Sequence, residues 1–301
     1  APRLTGRIVR LRGPSAASYI WRARAWDSAD QQWPIPIYFY RDGVTGQRFM
    51  IKVIPAVVLQ QAVYPLTVDD PVRYDPPAGD GHVRADSTVW ATAHDALAGN
   101  ATDYTGTTLD GRTGFTAVLD YRIFRGFLPM DTSGIPDTDT VTAADCVLWP
   151  TVVNNNDNDG DDWVNIVGPT SQAATTSLVN GDFDRCGAIT NPTEGSTRKD
   201  LTSLGTGAYV TFALDATGLG WINKTGMTLL GFREGHDCIN SAYAGADATN
   251  NAGRVATSEA AGTSTDPYLE VTSTADGVTI AQQVPITAQQ KSGQSVGRIY
   301  V

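Results

Sequence analysis

The stretch that decides the fold is 121–136, with the sequence YRIFRGFLPMDTSGIP. Its first half alternates as a strand does, with Ile123, Arg125 and Phe127 on one face and Arg122, Phe124 and Gly126 on the other. Both faces mix apolar and basic residues, so the pattern predicts a strand but leaves open which face is buried. The second half holds turn-forming residues, which predict that the chain bends away from this strand before Pro136.

The rest of the sequence also favours strands and turns over helices. Its 301 residues include 30 Gly and 16 Pro, with many Thr, Asp and Asn residues, and show no long helical periodicity. No segment has the run of about 18 apolar residues that a membrane span needs. The length fits one large β domain with an appendage, or two domains.

Turn signals divide the chain into three predicted parts: a β-rich, basic docking region at 1–62, a β-sandwich at 63–274 and a C-terminal extension at 275–301. In the first part, strands are predicted at 8–11, 19–26 and 35–41, with 47–54 as the hairpin partner of the last. In the sandwich, they are predicted at 87–91, 116–128, 140–149, 163–167, 208–214, 227–232 and 267–272. Short strands separated by turns favour an antiparallel sandwich.

The charges are distributed unevenly along the chain. The net charge is −10, but residues 1–52 carry nine basic and three acidic residues, so they contribute +6 and the remainder −16. A basic arm on an acidic body predicts docking to an acidic surface, either a copy of the same chain or a shell, tail or filament protein. The arginines predicted to dock are Arg3, Arg7, Arg10, Arg12, Arg22 and Arg24. Alternatively, they line the polar faces of strands.

The sequence offers few residues for catalysis or cofactor binding. Cys146, Cys186 and Cys238 form no C-x-x-C pair, so neither a zinc site nor a disulfide framework is indicated, and a single Cys186–Cys238 pair in an oxidising compartment stays open. Cys146 lies in an apolar run and is predicted to be a buried small hydrophobe. No hydrolase elbow, phosphate loop or dinucleotide fingerprint occurs, which predicts a non-enzymatic protein. The acidic body also argues against nucleic acid as a partner.

The segment NNNDNDGDD has the highest density of oxygen ligands. Asn155, Asp157 and Asp159, followed by Gly160, have the spacing of the first positions of a calcium loop. The later bidentate Glu is missing, because Ile166 stands at that position. The turn propensity of a hairpin tip explains the same residues, so a calcium site and a polar tip both stay open; no other cofactor is predicted.

Five motifs in order resemble one known family: YPLTVD at 64–69, DSTV at 86–89, RGFLPMDTSGIP at 125–136, TAADCVL at 142–148 and DPYLEVT at 266–272. Together they resemble the DNRLRE-type, carbohydrate-binding-module-like jelly-roll family of extracellular and virus-associated proteins. The resemblance covers about residues 63–274, with Met130 where the family has Phe. It implies a two-sheet jelly roll with a structural or glycan-binding role, and it carries over no catalytic residue.

The central motif also has a physical interpretation. Asp131, Thr132 and Ser133 can bond backbone amides in the turn, and this predicts a fixed corner between two sheets. Arg125 is predicted to pair with a carboxylate near the rim of the sandwich.

The sequence therefore predicts an all-β protein: an antiparallel two-sheet jelly-roll β-sandwich with a smaller β-rich N-terminal region and an extended C-terminal tail. The first functional hypothesis is a non-enzymatic subunit, decoration or fibre component of a phage-like virion or an extracellular assembly. The alternative is a secreted carbohydrate-binding or adhesion module, with Trp90, Tyr104 and Trp221 stacking on a surface glycan. A polysaccharide-cleaving enzyme is the third class, because paired catalytic acids can meet in space without a sequence motif.

Overall fold

The computed structural model describes residues 9–12, 17–20, 24–27, 31–41, 48–52, 54–61, 66–69, 72–118 and 120–274. The chain divides into two units, one made of Ala1–Val72 with Thr272–Val301 and the other of Arg73–Val271. The predicted C-terminal extension at 275–301 lies outside the described residues.

The first unit contains short antiparallel strand pairs. Its elements are β1 (Val9–Arg12), β2 (Ala17–Ile20), β3 (Arg24–Asp27), β4 (Gln32–Pro34), β5 (Ile37–Arg41), β6 (Arg48–Lys52), α1 (Ala56–Gln61) and β7 (Leu66–Asp69). β1 pairs with β2, β3 lies between β4 and β7, and β5 pairs with β6. The predicted pairing of 35–41 with 47–54 is confirmed for β5 and β6. Of the strand predicted at 19–26, residues 19–20 lie in β2 and residues 24–26 in β3, and residues 21–23 lie outside the described residues.

The elements around the second unit are, in order, β8 (Val72–Tyr74), β9 (Gly81–Ser87), α2 (Trp90–His94), β10 (Ala101–Asp103), β11 (Thr108–Phe115), β12 (Tyr121–Asp131), β13 (Thr140–Leu148), β14 (Pro150–Asn154), β15 (Trp163–Val167), a 3₁₀ helix (Asn180–Arg185), β16 (Lys199–Asp200), β17 (Val210–Ala213), α3 (Ala216–Leu219), β18 (Met227–Glu234), α4 (Gly235–Ile239), β19 (Asn250–Ala256) and β20 (Tyr268–Thr274). The prediction of a mostly β protein is confirmed. The strand predicted at 87–91 is wrong, because β9 has ended by then and α2 begins at Trp90.

Two antiparallel sheets make up this fold, and the larger one is a curled half-barrel. The large sheet runs β14-β19-β11-β12-β18-β15-β16, with β9 and β10 attached beside β12, and the smaller sheet runs β17-β13-β20-β8. β12 is the centre of the large sheet. Its first half pairs with both β11 and β9, and its second half pairs with β18.

Both faces of β12 are buried, which answers the question that its sequence leaves open. Leu128 and Met130 belong to the core shared with the smaller sheet. Ile123 and Phe127 belong to a second core, which also includes residues of α2, the 3₁₀ helix and α4. Because apolar burial is the main driving force of folding, a strand that serves two cores holds the second unit together.

Arg125, on β12, is fully buried in the second core. Its Nη2 donates to Asp237 Oδ1 at 2.7 Å and its Nε to Asp237 Oδ2 at 3.0 Å. The remaining N–H groups donate to the carbonyl oxygens of Phe183 and His94 at 3.0 and 2.9 Å. The predicted pairing of Arg125 with a carboxylate is confirmed, but the pair lies in the core and not at the rim.

Arg233, near the end of β18, is the second arginine on the same carboxylate. It is also fully buried, and its Nε donates to Asp237 Oδ2 at 2.6 Å. Its terminal nitrogens donate to the carbonyl oxygens of Ala188 and Ile189 at 2.6 and 2.7 Å. Burial raises the pKa of Asp237, but the two guanidinium groups outweigh burial and hold that pKa well below its usual range.

Of the three residues predicted to bond backbone amides in the turn after β12, Asp131 does so, whereas the hydroxyls of Thr132 and Ser133 bond other groups. Asp131 Oδ1 accepts from the backbone N–H of Ser133 at 3.2 Å and from its hydroxyl at 2.6 Å. The hydroxyl of Thr132 contacts the carbonyl oxygen of Asn223 and the hydroxyl of Thr228, so it fastens the turn to the segment that leads into β18.

We expect Asp237→Ala to lower the free energy of unfolding by roughly 3–5 kcal/mol, because it leaves two buried guanidinium groups without a counter-charge. Urea unfolding followed by tryptophan fluorescence measures this loss. Asp247→Ala, at an exposed loop position, is the control. Equal stability of the two variants would contradict the structural role of the Asp237 network.

Candidate functional site

The Asn/Asp-rich loop between β14 and β15 lies beside the start of α4. β15 pairs with β18 so that Val164 is opposite Glu234, which brings the residues before β15 next to those after β18. The approach is close: a Cβ at Gly235 would collide with the carbonyl oxygen of Asp161 and lie 2.7 Å from the Trp163 ring. Glycine at this position therefore allows loop and helix to touch.

Three side chains from these two elements converge. Asp157 Oδ2 and Asp159 Oδ2 lie 3.2 and 3.4 Å from His236 Nε2, and the three ligand atoms all lie within 4.8 Å of one another. We call this group the Asp-Asp-His cluster. His236 is 0% exposed, and its Nε2 has no hydrogen-bond partner. Asp159 forms the open side, since 38% of its side chain is exposed.

A buried carboxylate lies behind the imidazole ring. Glu234 Oε1 is 2.9 Å from His236 Nδ1, and Glu234 Oε2 accepts from the hydroxyl of Thr113 at 2.7 Å. Burial is the largest effect on Glu234 and raises its pKa to about 7. Burial lowers the pKa of His236, but the hydrogen bond to Glu234 and the nearby carboxylates outweigh it and raise that pKa to about 9.

Asn251, on β19, holds the loop from the other side. Its side-chain Nδ2 donates to Asp157 Oδ1 at 2.5 Å and to Asp162 Oδ1 at 2.7 Å. Its Oδ1 accepts from the backbone N–H of Asn156 at 2.8 Å. The loop is therefore anchored to β19 as well as placed beside α4.

The structure brings together two of the three residues in the calcium prediction. Asp157 and Asp159 belong to the Asp-Asp-His cluster, whereas the side chain of Asn155 bonds Asn158 within the loop. His236 was not among the predicted ligands, because the three histidines are scattered in the sequence and show no H-x-x-x-H spacing. The run of ionisable residues that contains it, REGHD directly after a predicted strand, is the signal that could have indicated it. Calcium binding stays a prediction.

A second candidate site is a group of arginines on the large sheet. Register places Arg112 and Arg84 opposite Phe124 on its two sides, with their guanidinium carbons 3.7 and 6.0 Å from the ring centre. Arg122, two residues before Phe124, pairs with Asp86 at 3.0 Å. We call Arg84, Arg112, Arg122 and Phe124 the arginine face.

The arginine face keeps an excess of positive charge on an acidic protein, because its three arginines pair with two carboxylates, those of Asp86 and Asp110. Burial is the largest effect on Arg112 and, with the charges of nearby arginines, lowers its pKa to about 10 although Asp110 opposes this. A surface depression of about 490 Å³ adjoins the face and is lined by Arg112, Arg122, Phe115 and Asn250 among others. Excess positive charge beside an open depression favours an acidic ligand or an acidic partner surface.

The aromatic residues predicted to stack on glycans do not form a common platform. Trp90 is 9% exposed, and its Nε1 donates to Asn240 at 2.8 Å in the second core. Tyr104 packs partly buried against this core. Trp221 packs partly buried against the other core.

The predicted docking arginines fall in the first unit. Arg10 and Arg12 lie in β1 and Arg24 in β3, whereas Arg3, Arg7 and Arg22 lie outside the described residues.

The three cysteines are free and buried. Burial is the main cause of a raised pKa for each thiol, to about 12 for Cys186. They are therefore poor nucleophiles, and the prediction that Cys146 is a buried hydrophobe is confirmed.

No protein-family model matches this chain, and no curated protein proved similar to it. The jelly-roll family resemblance therefore stays a prediction that rests on the five motifs. Within the part of the chain that the structure describes, no helix has the length and apolar character needed to cross a membrane.

Asp80 is a further buried carboxyl group whose pKa lies outside its usual range. Asp80 is fully buried, and it accepts from the backbone N–H of Ser258 at 2.9 Å and from the Ser258 hydroxyl at 2.5 Å. Burial, partly offset by these bonds, raises the pKa of Asp80 to about 7.

Between pH of about 4 and 7, folded Asp80 therefore holds a proton that the unfolded chain has lost. The free energy of unfolding should fall as pH rises through this window, by at most about 1.4 kcal/mol per pH unit. Asp80→Asn should remove this contribution, because the amide does not titrate. Urea unfolding at pH 4.5, 5.5 and 6.5 measures the free energy of unfolding of wild type and of Asp80→Asn. If this free energy changed with pH in the same way in both proteins, the prediction of a raised pKa for Asp80 would be contradicted.

Proposed function

We propose that this chain is a non-enzymatic structural protein, a subunit or decoration component of a phage-like virion or an extracellular assembly. The observation that carries the proposal is the arginine face, where three partly exposed arginines surround the buried ring of Phe124 on a protein with a net charge of −10. The partner is a second copy of this chain or an acidic shell, tail or filament protein. The basic residues of 1–62 dock to an acidic partner surface of the same kind.

The arginine face has the composition and rigidity of an interface. Arginine is among the residues enriched where proteins bind each other, and the buried ring of Phe124 supports the Arg112 guanidinium from below. Arg84, Arg112 and Phe124 are on three neighbouring strands of one sheet, so binding would order little new backbone. The acidic remainder of the chain supplies complementary charge for self-association.

A non-enzymatic role is supported by the ionisable groups of the second unit, several of which are buried and serve to stabilise the core. Arg125, Arg233 and Asp237 satisfy one another inside the core, and the thiols are buried. The finer fold, a two-sheet jelly roll spanning about residues 63–274, is supported by the two antiparallel sheets and by the order of the motifs. The resemblance to a family of extracellular and virus-associated proteins supports a virion or extracellular location.

The depression beside the arginine face supports a second candidate function, binding of an acidic glycan. Guanidinium groups of Arg112 and Arg122 would pair with carboxylate or sulfate groups, while Phe115 offers an apolar surface. Calorimetry with acidic and neutral polysaccharides tests this. Binding of acidic polysaccharides that is lost in Arg122→Glu would favour it, and flat titrations throughout would exclude it for the tested panel.

Mass spectrometry of density-banded particles from the source tests the structural role. The proposal expects this chain at a fixed stoichiometry with a shell, tail or filament protein. Its presence in the soluble secreted fraction, without any particle, would contradict the proposal.

We expect Arg122→Glu to weaken self-association roughly tenfold or more, because it reverses a charge on the arginine face. Sedimentation velocity at low and high salt measures the association of wild type and variant. Arg185→Glu, at an exposed arginine outside the face, is the matched control and should associate as wild type does. A wild-type chain that stays monomeric at low salt would contradict a second copy of this chain as the partner.

A further inference from the structure

We propose that Asp157 Oδ2, Asp159 Oδ2 and His236 Nε2 bind a divalent transition-metal ion of the zinc class, with a further position left for water. The ion would join the β14–β15 loop to α4. This inference is independent of the assembly function, because the cluster shares no residue with the arginine face.

The orientation of the ligand atoms carries the proposal. Asp157 Oδ1 is taken by Asn251 and Asp159 Oδ1 by the backbone N–H of Asp161 at 3.0 Å. Each carboxylate therefore turns its Oδ2 toward His236. Two ligands about 2.1 Å from a tetrahedral ion lie about 3.4 Å apart, which is close to the 3.2 and 3.4 Å separations from His236 Nε2.

The unpartnered nitrogen supplies the independent observation. His236 Nε2 is fully buried and lies near two carboxylate oxygens, yet it makes no hydrogen bond to either of them. If Nδ1–H donates to Glu234 Oε1, Nε2 carries either a proton or a metal ion toward the cluster. Two anionic oxygens in one small space repel each other unless a positive charge lies between them, and Nε2 makes no hydrogen bond that would place a proton there.

Glu234 and Thr113 complete the pattern expected behind a metal-binding histidine. A carboxylate on the far nitrogen fixes the tautomer and the ring orientation of such histidines. Here Glu234 bonds His236 Nδ1, and the hydroxyl of Thr113 holds Glu234 in turn. Asp159 is partly exposed, so an ion can enter without unfolding of the core.

The ligand chemistry favours zinc-class ions over calcium. Ca²⁺ takes about six to eight oxygen ligands, whereas this cluster combines one imidazole nitrogen with two carboxylate oxygens. Imidazole and carboxylate together suit Zn²⁺ and its first-row neighbours.

Isothermal titration calorimetry of the full chain, stripped with EDTA and dialysed into metal-free buffer, tests the proposal with ZnCl₂. Wild type should bind a single Zn²⁺ ion per chain and melt at a higher Tm with zinc. Asp159→Asn should weaken binding roughly tenfold or more, because it removes an anionic ligand. It keeps an oxygen that can accept from Asp161, so we expect it to fold, and its circular dichroism spectrum checks this.

The matched control is Asp161→Asn, which removes the same charge from the same loop but no ligand atom. Its Zn²⁺ affinity should stay within about twofold of wild type, because an outlying charge is screened by salt. Three results would overturn the proposal: no Zn²⁺ binding by wild type, equal affinity in Asp159→Asn, or tighter binding of CaCl₂ than of ZnCl₂. In the first case the cluster is a protonated imidazole surrounded by carboxylates.

Discussion

Arg125 and Arg233 share the carboxylate of Asp237 in a part of the core where none of the three side chains is exposed. The desolvation of three charged groups is compensated only if the geometry stays intact, so this contact tolerates little displacement. It connects β12, the central strand, with the end of β18 and with α4. The position of α4 follows from it, and so does the position of His236, the residue before Asp237.

Neighbouring residues of α4 thus serve different purposes. Asp237 faces the core arginines, whereas His236 faces the carboxylates of the β14–β15 loop. The interior network fixes the helix, and the helix presents a ligand to a partly exposed loop. On the same large sheet, Arg112 and Arg122 form a basic surface that suits an acidic partner. A rigid interior that supports the proposed metal site and the proposed docking surface is consistent with the proposed role as a structural component of an assembly.

Sequence patterns predict the strands whose apolar residues are continuous, and fail where polar residues or glycine occupy the sheet. β15 was predicted with its observed bounds, because WVNIV is apolar and short. β11 and β19 were missed, because TLDGRTGF and NNAGRVA carry glycine and charge where the curled sheet packs closely. The loop acids of the candidate site were found from their spacing. His236 was not, since strand pairing between β15 and β18 brings it to the loop, and the run of ionisable residues around it does not reveal that pairing.

The most direct test of the account is diffraction at the zinc absorption edge from crystals of the full chain grown or soaked with ZnCl₂. We predict an anomalous difference peak bounded by Asp157 Oδ2, Asp159 Oδ2 and His236 Nε2, together with an intact contact of Asp237 with both arginines. A map without a peak there, in which His236 turns away from the loop, would contradict the claim that the buried network positions a metal ligand.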